Sequence, residues 1–272
     1  MAGKVYQPDE VLKNTDIAFL AFHGSYGEDG TVQRLLEKYN TPYTGSGPDA
    51  SALAMNKLST KEKVGKLDIK LAPHQEVKSG ELSDIDNIIS GIGKAFGPEY
   101  VVKPLCSGSS VGVVMADDLA TLKTALKTAL KNYPSVLVEK RIKGREATAG
   151  VIERFKGQEI YSLPVIEIIP PETSDYFDRT NKYDGSTEEI CPGRFSEAET
   201  TTLQQAAADV HQTLGLRQYS RSDFIVADDG VYFLEVNTLP GLTPTSLLPL
   251  SIKTIGSSYS ELITHLLTDA IN

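Results

Sequence analysis

Two acids and an amide near the carboxyl end of the chain have the residue types and spacing of a magnesium site. Glu235 and Asn237 are separated by one residue in an apolar segment, so a β-strand would place both side chains on one face, with Leu234 and Val236 directed into a core. Asp223 precedes a second apolar segment, and residues 228–230 (Asp-Asp-Gly) predict a turn that pairs the two as a hairpin. Three oxygen ligands would then converge.

Such a ligand set indicates a phosphate-handling enzyme. Mg²⁺ held by a few carboxylates usually completes its shell with water and nucleotide phosphates. A surface hairpin with solvated acids is the simpler alternative for these residues taken alone.

A loop rich in glycine and serine, residues 107–112, could contact phosphate through its amides and hydroxyls. It is not a Walker A loop, because neither Ser109 nor Ser110 follows a lysine. Lys103, on the predicted strand before the loop, could reach a phosphate from the side. For the loop alone, a turn that merely connects two strands is the favoured interpretation.

Further polar residues could recognise the rest of a nucleotide or a second substrate. Glu139 and Glu146 can accept hydrogen bonds from an adenine amino group and from ribose hydroxyls, although each is more often a solvated acid. His23, close to Glu28 and Asp29, could bind a substrate amine. The polar segment 178–186 resembles a covering loop that would exclude water from a reactive phosphate intermediate; taken alone, it would be a surface loop.

Composition excludes several functional classes. The chain has 272 residues and a formal net charge of −9, which argues against a nucleic-acid surface. There is no run of 18 apolar residues and no signal-peptide core at the amino terminus, so we expect no membrane association. Cys106 and Cys191 are far apart and do not suggest a disulfide framework, which favours the cytoplasm.

The predicted elements mix strands and helices. Strands are expected at 16–22, 101–104, 113–115 and 136–139 and within 146–169, and helices at 31–39, 50–64, 119–133 and 197–214. Several strand pairs are joined too closely for a crossover helix. The pattern therefore favours a mixed α/β or α+β fold over a purely parallel sheet.

Taken together, these residues resemble the D-alanine–D-alanine ligase family of the ATP-grasp superfamily, from about Asp16 to about Pro249. The matching blocks are His23-Gly24 with residues 27–30, residues 42–45, Lys57 with Lys61, Lys103-Pro104 with residues 108–112, residues 144–146, Lys182-Tyr183, Arg221, Asp223, Glu235, Asn237-Thr238 and Pro240-Gly241. The resemblance implies two α+β lobes (48–139 and 140–272) that enclose ATP, preceded by an incomplete Rossmann-like domain (1–47). It also implies that two D-alanines are joined through an acyl phosphate and a tetrahedral intermediate, for peptidoglycan precursor synthesis.

The resemblance also implies a role for each site residue. ATP would be bound by Lys57, Lys103, Glu139, Lys140, Ile142, Glu146 and Lys182, and two Mg²⁺ ions (or Mn²⁺) by Asp223, Glu235 and Asn237. Arg221 and the amide of Gly241 would stabilise the oxyanion, Ser109 and Tyr183 would close the acceptor side, and His23, Ser246 and Leu247 would bind the amino acids. A tyrosine at position 183 is the family pattern for a D-alanine acceptor rather than D-lactate.

Two departures from the family pattern affect these expectations. Only some 20 residues precede His23, so the usual amino-terminal glutamate that orients the first D-alanine is missing; Asp9 or Glu10 is a candidate to replace it. Asn56 stands before Lys57 where the family usually has an acid.

Three functions therefore stay open at this point. The leading hypothesis is an ATP-dependent D-alanine–D-alanine ligase. The alternatives are an ATP-grasp ligase with another amino-acid substrate, because the missing segment contributes to the first-substrate pocket, and a non-catalytic ATP-binding subunit. We expect D-alanine and ATP as small-molecule partners, and either a homodimer or a partner that completes the amino-terminal region, whose sheet edge would otherwise be exposed.

Overall fold

The fold is built on two β-sheets, and the structure, a computed structural model, describes residues 7–108, 111–171 and 187–271. The described elements are α1 (Pro8–Leu12), α2 (Thr31–Lys38), α3 (Pro48–Met55), α4 (Lys57–Val64), β1 (Lys70–Leu71), β2 (His74–Lys78), a 3₁₀ helix (Ser79–Asp84), α5 (Ile85–Phe96), β3 (Tyr100–Pro104), β4 (Val114–Ala116), α6 (Leu119–Ala129), β5 (Ser135–Lys140), β6 (Arg145–Phe155), β7 (Gln158–Ser162), β8 (Ile166–Ile169), β9 (Glu188–Ile190), α7 (Glu197–Thr213), β10 (Tyr219–Ala227), β11 (Gly230–Asn237), α8 (Leu247–Thr254) and α9 (Tyr259–Ile271). This mixture of strands and helices confirms the predicted class.

The smaller sheet is antiparallel and has the strand order β2-β5-β3-β4. Helices α5 and α6 cover one of its faces. In α5 the buried residues recur every three or four positions, which places them on a single apolar stripe that packs against the sheet. The other face is left to line a cleft.

The larger sheet has the order β1-β11-β10-β6-β8-β9, with β7 also paired to β6. Its pairs are antiparallel except that β1 runs parallel to β11. Cross-strand partners point to the same side of a sheet. One side therefore presents a core that packs against α7, including Ala147, Ala149, Phe224, Phe233 and Val236.

Three predicted elements differ from the structure. The predicted helix 50–64 is two helices, because Asn56 is extended (ψ 104°) and its Oδ1 accepts the amide of Ser59 at 3.0 Å as the cap of α4. The predicted strand 16–22 contains a single bridge, Ala18 to Tyr43. The amide of Leu20 donates to the Thr44 side chain instead of a neighbouring strand.

The third difference is the end of α6, which stops at Ala129 rather than at Tyr133. Pro134 follows the predicted end, and a residue before proline is disfavoured in the helical conformation.

The packing differs from the predicted division at residue 48. Residues of α3 and α4 pack with the larger sheet rather than with the smaller one, and so do Leu67, Ile69 and Leu71. The segment before residue 48 packs on the same lobe, where Leu20 and Leu36 join a core with Ile152, Leu248 and residues of α9. The domain limits themselves stay a prediction.

None of the described helices combines the length and the apolar character needed to cross a bilayer.

Candidate active site

A cavity of about 280 Å³ lies where the faces of the two sheets meet. The smaller sheet lines it with Val101, Lys103 and Met115, and the larger sheet with residues that include Glu146 and Asp223. The pairing register explains why these residues of the larger sheet face the cavity. Glu146 pairs with Ile225 on one side and with Ile168 on the other, on the face opposite to the core under α7. The cleft is therefore walled by both lobes.

Asp223 accepts four hydrogen bonds in the cleft. Arg221 donates to both of its oxygens at 2.9 Å, Thr148 donates from Oγ1 at 2.6 Å, and Asn237 donates from Nδ2 at 3.0 Å. Burial lowers the pKa of Arg221, but Asp223 outweighs that effect, so the net shift is upward. Arg221 is thus a fixed cation beside the carboxylate.

Glu235 lies opposite Asp223 in the β10–β11 hairpin and contacts a different cation. Its Oε2 is 3.0 Å from Nζ of Lys57, which is buried and also donates to the carbonyl of Ser107 at 2.8 Å. Lys57 begins α4, so it joins the larger sheet to the loop that follows β3. The predicted convergence of Asp223, Glu235 and Asn237 is present in the structure.

A β-bulge corrects one detail of the sequence interpretation. Asp223 pairs with Glu235, but the next residue, Phe224, pairs with Phe233, so Leu234 has no partner in the register. Leu234 lines the cleft instead of the predicted core, whereas Val236 is in the core as predicted.

The donor set of this corner suits Mg²⁺, which prefers carboxylate and amide oxygens. Two carboxylates and an amide face each other across one hairpin, and Arg221 and Lys57 now supply positive charge where a divalent cation would. Among the described residues, there is no group of three or more His, Cys, Asp or Glu side chains that could hold a metal. The amide oxygen of Asn237 would therefore have to serve as the third protein ligand.

A second buried carboxylate lies in the wall of the smaller sheet. Glu139 is 2% exposed, and its two oxygens contact Nζ of Lys61 at 2.9 Å and Nζ of Lys103 at 2.7 Å. Burial alone would raise the pKa of Glu139, but Lys103 and Lys61 lower it to about 2. Glu139 therefore stays ionised between its two lysines.

The other end of the site is built from the loop after β11. The Nδ1 of His23 is 2.7 Å from the carbonyl of Leu239, so this nitrogen carries the proton and donates. Glu28, 8% exposed, accepts from the amides of Gly24 and Leu239 at 2.8 and 3.1 Å. These bonds hold the His23 loop against the loop that contains Gly241.

Gly241 and Ser246 lie in contact at the start of α8. A Cβ added at Gly241 would lie 2.6 Å from Oγ of Ser246, and this Oγ accepts the amide of Thr243 at 3.1 Å. Ser246 occupies the N-cap position of α8, but its side chain accepts no hydrogen bond from the helix amides. The first amides of the helix, starting at Leu247, are therefore not capped by this serine. Helix starts of this kind favour anions.

Comparison with known proteins identifies the family. Sequence models described as "D-ala D-ala ligase C-terminus" and "D-ala D-ala ligase N-terminus" match residues 64–268 and 2–46. The chain belongs to the D-alanine–D-alanine ligase family.

Individual members of this ligase family agree. A D-alanine–D-alanine ligase of Syntrophobacter fumaroxidans is 38% identical over 257 residues, covering 94% of this chain and 80% of the relative. One from Geobacter sulfurreducens is 41% identical over 258 residues, covering 94% and 77%.

Solved structures of the family show the same fold. The D-alanyl-alanine synthetase A of Vibrio cholerae has a TM-score of 0.83 at 30% identity, covering 94% of this chain and 76% of that one. The D-alanine–D-alanine ligase of Bacillus anthracis complexed with ATP has a TM-score of 0.80 at 32% identity, covering 97% and 81%. The predicted ATP-grasp fold and the predicted ligase family are confirmed.

The structure brings eight of the seventeen residues predicted from the ligase family into one cleft. Its lining includes Lys57, Lys103, Glu139, Lys140, Ile142, Glu146, Asp223 and Glu235. Asn237 lines a small adjoining pocket with Lys57 and Glu235. Ser109, Lys182, Tyr183 and the predicted covering loop 178–186 lie outside the described residues.

Existing contacts limit how Glu139 and Lys140 could bind adenine. Both oxygens of Glu139 are already paired with lysines, so its expected contact with adenine stays a prediction. The amide of Lys140 donates to the carbonyl of Pro73 at 2.8 Å, which leaves its own carbonyl as the main-chain group for adenine.

Glu10 is engaged elsewhere: it accepts the amide of Gln7 at 2.7 Å and caps α1. Asp9, on the same helix, lies 3.9 Å from Nζ of Lys13.

Sequence reasoning assigned no role to Lys61, Thr148 or Glu189. Lys61 had a detectable signal, because it lies one helical turn after Lys57. Thr148 gave none, since only the register of β6 with β10 brings it to Asp223.

Glu189 pairs with Ile168, which places it on the cleft face of the edge strand. Burial raises the pKa of Glu189, and Arg221 partly opposes this.

Proposed function

We propose that this chain uses ATP to join two D-alanine molecules into D-alanyl-D-alanine. The observation that carries the proposal is the single cleft in which Lys57 and Lys103 face Asp223 and Glu235 between the two lobes. Relatives that share 38% and 41% identity with almost the whole chain are named D-alanine–D-alanine ligases. Groups that would stabilise a transition state, here Arg221 and the amide of Gly241, have no use in a passive binder.

The nucleotide binds along the cleft wall formed by both sheets. Lys57 and Lys103 hold its phosphates, and Glu146 accepts from the ribose hydroxyls. The carbonyl of Lys140 and the main chain of Ile142 bind adenine, with Glu139 beside them. Lys182 belongs to the same set of ATP-binding residues.

Asp223, Glu235 and Asn237 hold the divalent cation, Mg²⁺ or Mn²⁺, with two ions expected. When bound, the metal neutralises phosphate charge and withdraws electrons from the terminal phosphorus. With a cation held by Glu235, Lys57 would be free to turn from that carboxylate toward the phosphates. Arg221 stays paired with Asp223 and keeps that carboxylate in position.

The reaction has two transfers. A carboxylate oxygen of the first D-alanine attacks the terminal phosphorus, the bond to ADP breaks, and an acyl phosphate forms. The neutral amine of the second D-alanine then attacks the acyl carbon, and the tetrahedral oxyanion is stabilised by Arg221 and the amide of Gly241. The C–O bond to phosphate breaks, the amine loses a proton, and the dipeptide and phosphate leave.

The acceptor is held at the start of α8. The hydroxyl of Ser246 and the amide of Leu247 bind its carboxylate, where the helix end favours an anion. His23 is positioned by Leu239 beside the same loop, 3.8 Å from where a Cβ on Gly241 would lie. The role expected of Ser109 and Tyr183, which would close the acceptor side, stays a prediction.

The setting in the cell also belongs to the proposal: ligation in the cytoplasm, for peptidoglycan precursor synthesis. The expected homodimer, or a partner that completes the amino-terminal region, stays a prediction.

The test is a reaction of the purified chain with Mg²⁺, ATP and D-alanine, followed by mass spectrometry of the products. D-Alanyl-D-alanine with one ADP per dipeptide supports the proposal, and L-alanine should give neither. A panel with D-serine and D-lactate defines the acceptor. Amino-acid-dependent ADP release without this dipeptide would favour another ligase, and ATP binding without release under the whole panel would favour a non-catalytic subunit.

A further inference from the structure

Lys61 is the most deeply buried cation of the cleft wall. Its side chain is 1% exposed, and its Nζ lies 2.9 Å from Oε1 of Glu139 and 6.0 Å from the centroid of the Phe233 ring. Lys61 belongs to α4, which packs with the larger sheet, whereas Glu139 belongs to the smaller sheet. The pair therefore crosses from one lobe to the other.

Glu139 is shared between two lysines of different character. Lys103 has 12% of its side chain exposed and lines the cleft, where a nucleotide phosphate would lie. Lys61 has 1% of its side chain exposed and is not among the residues that line the cleft. One of the two partners can therefore leave Glu139 for a ligand, and the other stays.

Charge accounts for the need for a second lysine. A buried carboxylate that loses its partner is strongly destabilised. If Lys103 were the sole counterion of Glu139, its move toward a phosphate would strand that charge. Lys103 and Lys61 are the two cations that act on Glu139 among the described residues, so Lys61 is the one that remains when Lys103 leaves.

We propose that Lys61 is a positioning residue that keeps Glu139 neutralised while Lys103 exchanges this carboxylate for a nucleotide phosphate. The inference rests on the proposed ATP-dependent function and deepens it. Lys61 acts through Glu139 and Lys103 and does not itself contact the nucleotide. Its contact with Glu139 is close but poorly directed, and neither Nζ of Lys61 nor that oxygen has a hydrogen bond within the described structure. The contribution of Lys61 is therefore mainly its charge.

Lys61→Met tests this, with Lys63→Met as the matched control. Lys63 is exposed on the same helix, so its variant carries the same substitution without touching Glu139. In Lys61→Met, we expect the dissociation constant for ATP, measured by calorimetry, to rise roughly tenfold or more. Binding of adenosine, which has no phosphate for Lys103, should change less than about twofold. Lys63→Met should match the wild type for both ligands.

A double variant, Lys61→Met with Glu139→Gln, separates charge from packing. It removes the carboxylate that would be stranded, so its ATP affinity should match that of Glu139→Gln alone to within about twofold. This variant carries the test if Lys61→Met does not fold.

Three results would overturn the inference: wild-type ATP affinity in Lys61→Met, an equal loss of ATP and adenosine binding, or the same loss of ATP affinity when Lys61→Met is made in the Glu139→Gln background. Failure of the wild type to bind ATP would instead refute the proposed function.

Discussion

Asp223→Asn is the substitution whose effect can be worked out most fully from the structure. Asp223 accepts four hydrogen bonds, two of them from Arg221. The Arg221 side chain is 13% exposed and the Asp223 side chain is 16% exposed. An asparagine would present an amide N–H to donors and leave the Arg221 charge unpaired. Breaking a buried pair in this way costs about 3–5 kcal/mol, which we reduce to about 3 kcal/mol for the residual exposure.

This loss has two measurable consequences. At 2–4 °C per kcal/mol for a chain of this size, the melting temperature should fall by roughly 6–12 °C. Turnover should fall by about 10³-fold, or roughly 4 kcal/mol of transition-state stabilisation, because a charged metal ligand is also removed. Circular dichroism melting and a coupled assay of ADP release measure the two effects separately.

The matched control is Asp229→Asn in the turn of the same hairpin. Asp229 contacts Lys70 and Tyr232, but the Asp229 and Lys70 side chains are 61% and 45% exposed. The control should leave the melting temperature and the activity close to those of the wild type, because solvent screens this exposed pair. Asp223→Asn turnover within a few-fold of the wild type would refute both the metal assignment and the role of the Arg221 pair.

Three further predictions concern the rest of the cleft. Glu235→Gln should lower kcat by about 10²-fold or more while melting changes little, because Glu235 is the more exposed acid; steady-state ADP release measures this. Gly241→Ala should raise KM for the acceptor D-alanine about tenfold, since the new Cβ would lie 2.6 Å from Oγ of Ser246 and force that hydroxyl from its hydrogen bonds. The control is Gly91→Ala, whose new Cβ would have no atom within 4 Å. The pKa of Glu139 is lowered from an ordinary 4.5 to about 2, so its ionised form stabilises the folded state above about pH 4.5, and this stabilisation is lost as the pH falls toward 2. The free energy of unfolding of Glu139→Gln, measured with urea, should therefore depend less on pH in that window than the wild-type value does.

The sequence predicted that Asp223, Glu235 and Asn237 lie close together because the signals for that arrangement are local. Alternation along β11 and the Asp-Asp-Gly turn define a hairpin, and a hairpin fixes which residues face each other. Asp223 and Glu235 are direct partners for that reason. No local sequence signal indicated the bulge at Leu234. Its side chain was therefore predicted to lie in the core, whereas it lines the cleft.

The parts that were missed depend on contacts between distant segments. Lys61 and Glu139 are far apart in the chain, and no spacing rule connects a helix of one lobe to a strand of the other. The break between α3 and α4 has a local cause, the capping side chain of Asn56, which the sequence interpretation did not use as a helix-start signal. The association of α3 and α4 with the larger sheet also required the assembled fold, because both lobes offer an apolar face.

The departure at Asn56 has a simple physical reading. Aspartate and asparagine are both good N-caps, so an asparagine before Lys57 keeps the start of α4 and the direction of that lysine.

The most direct test of the account follows an isotope through the reaction. D-Alanine labelled with ¹⁸O in its carboxyl group is supplied with Mg²⁺ and ATP, and the released phosphate is analysed by mass spectrometry. The account predicts one ¹⁸O atom in phosphate for each D-alanyl-D-alanine formed, because the carboxylate oxygen that attacks phosphorus leaves with it. Dipeptide formation without label in the phosphate, or phosphate release without dipeptide, would contradict it.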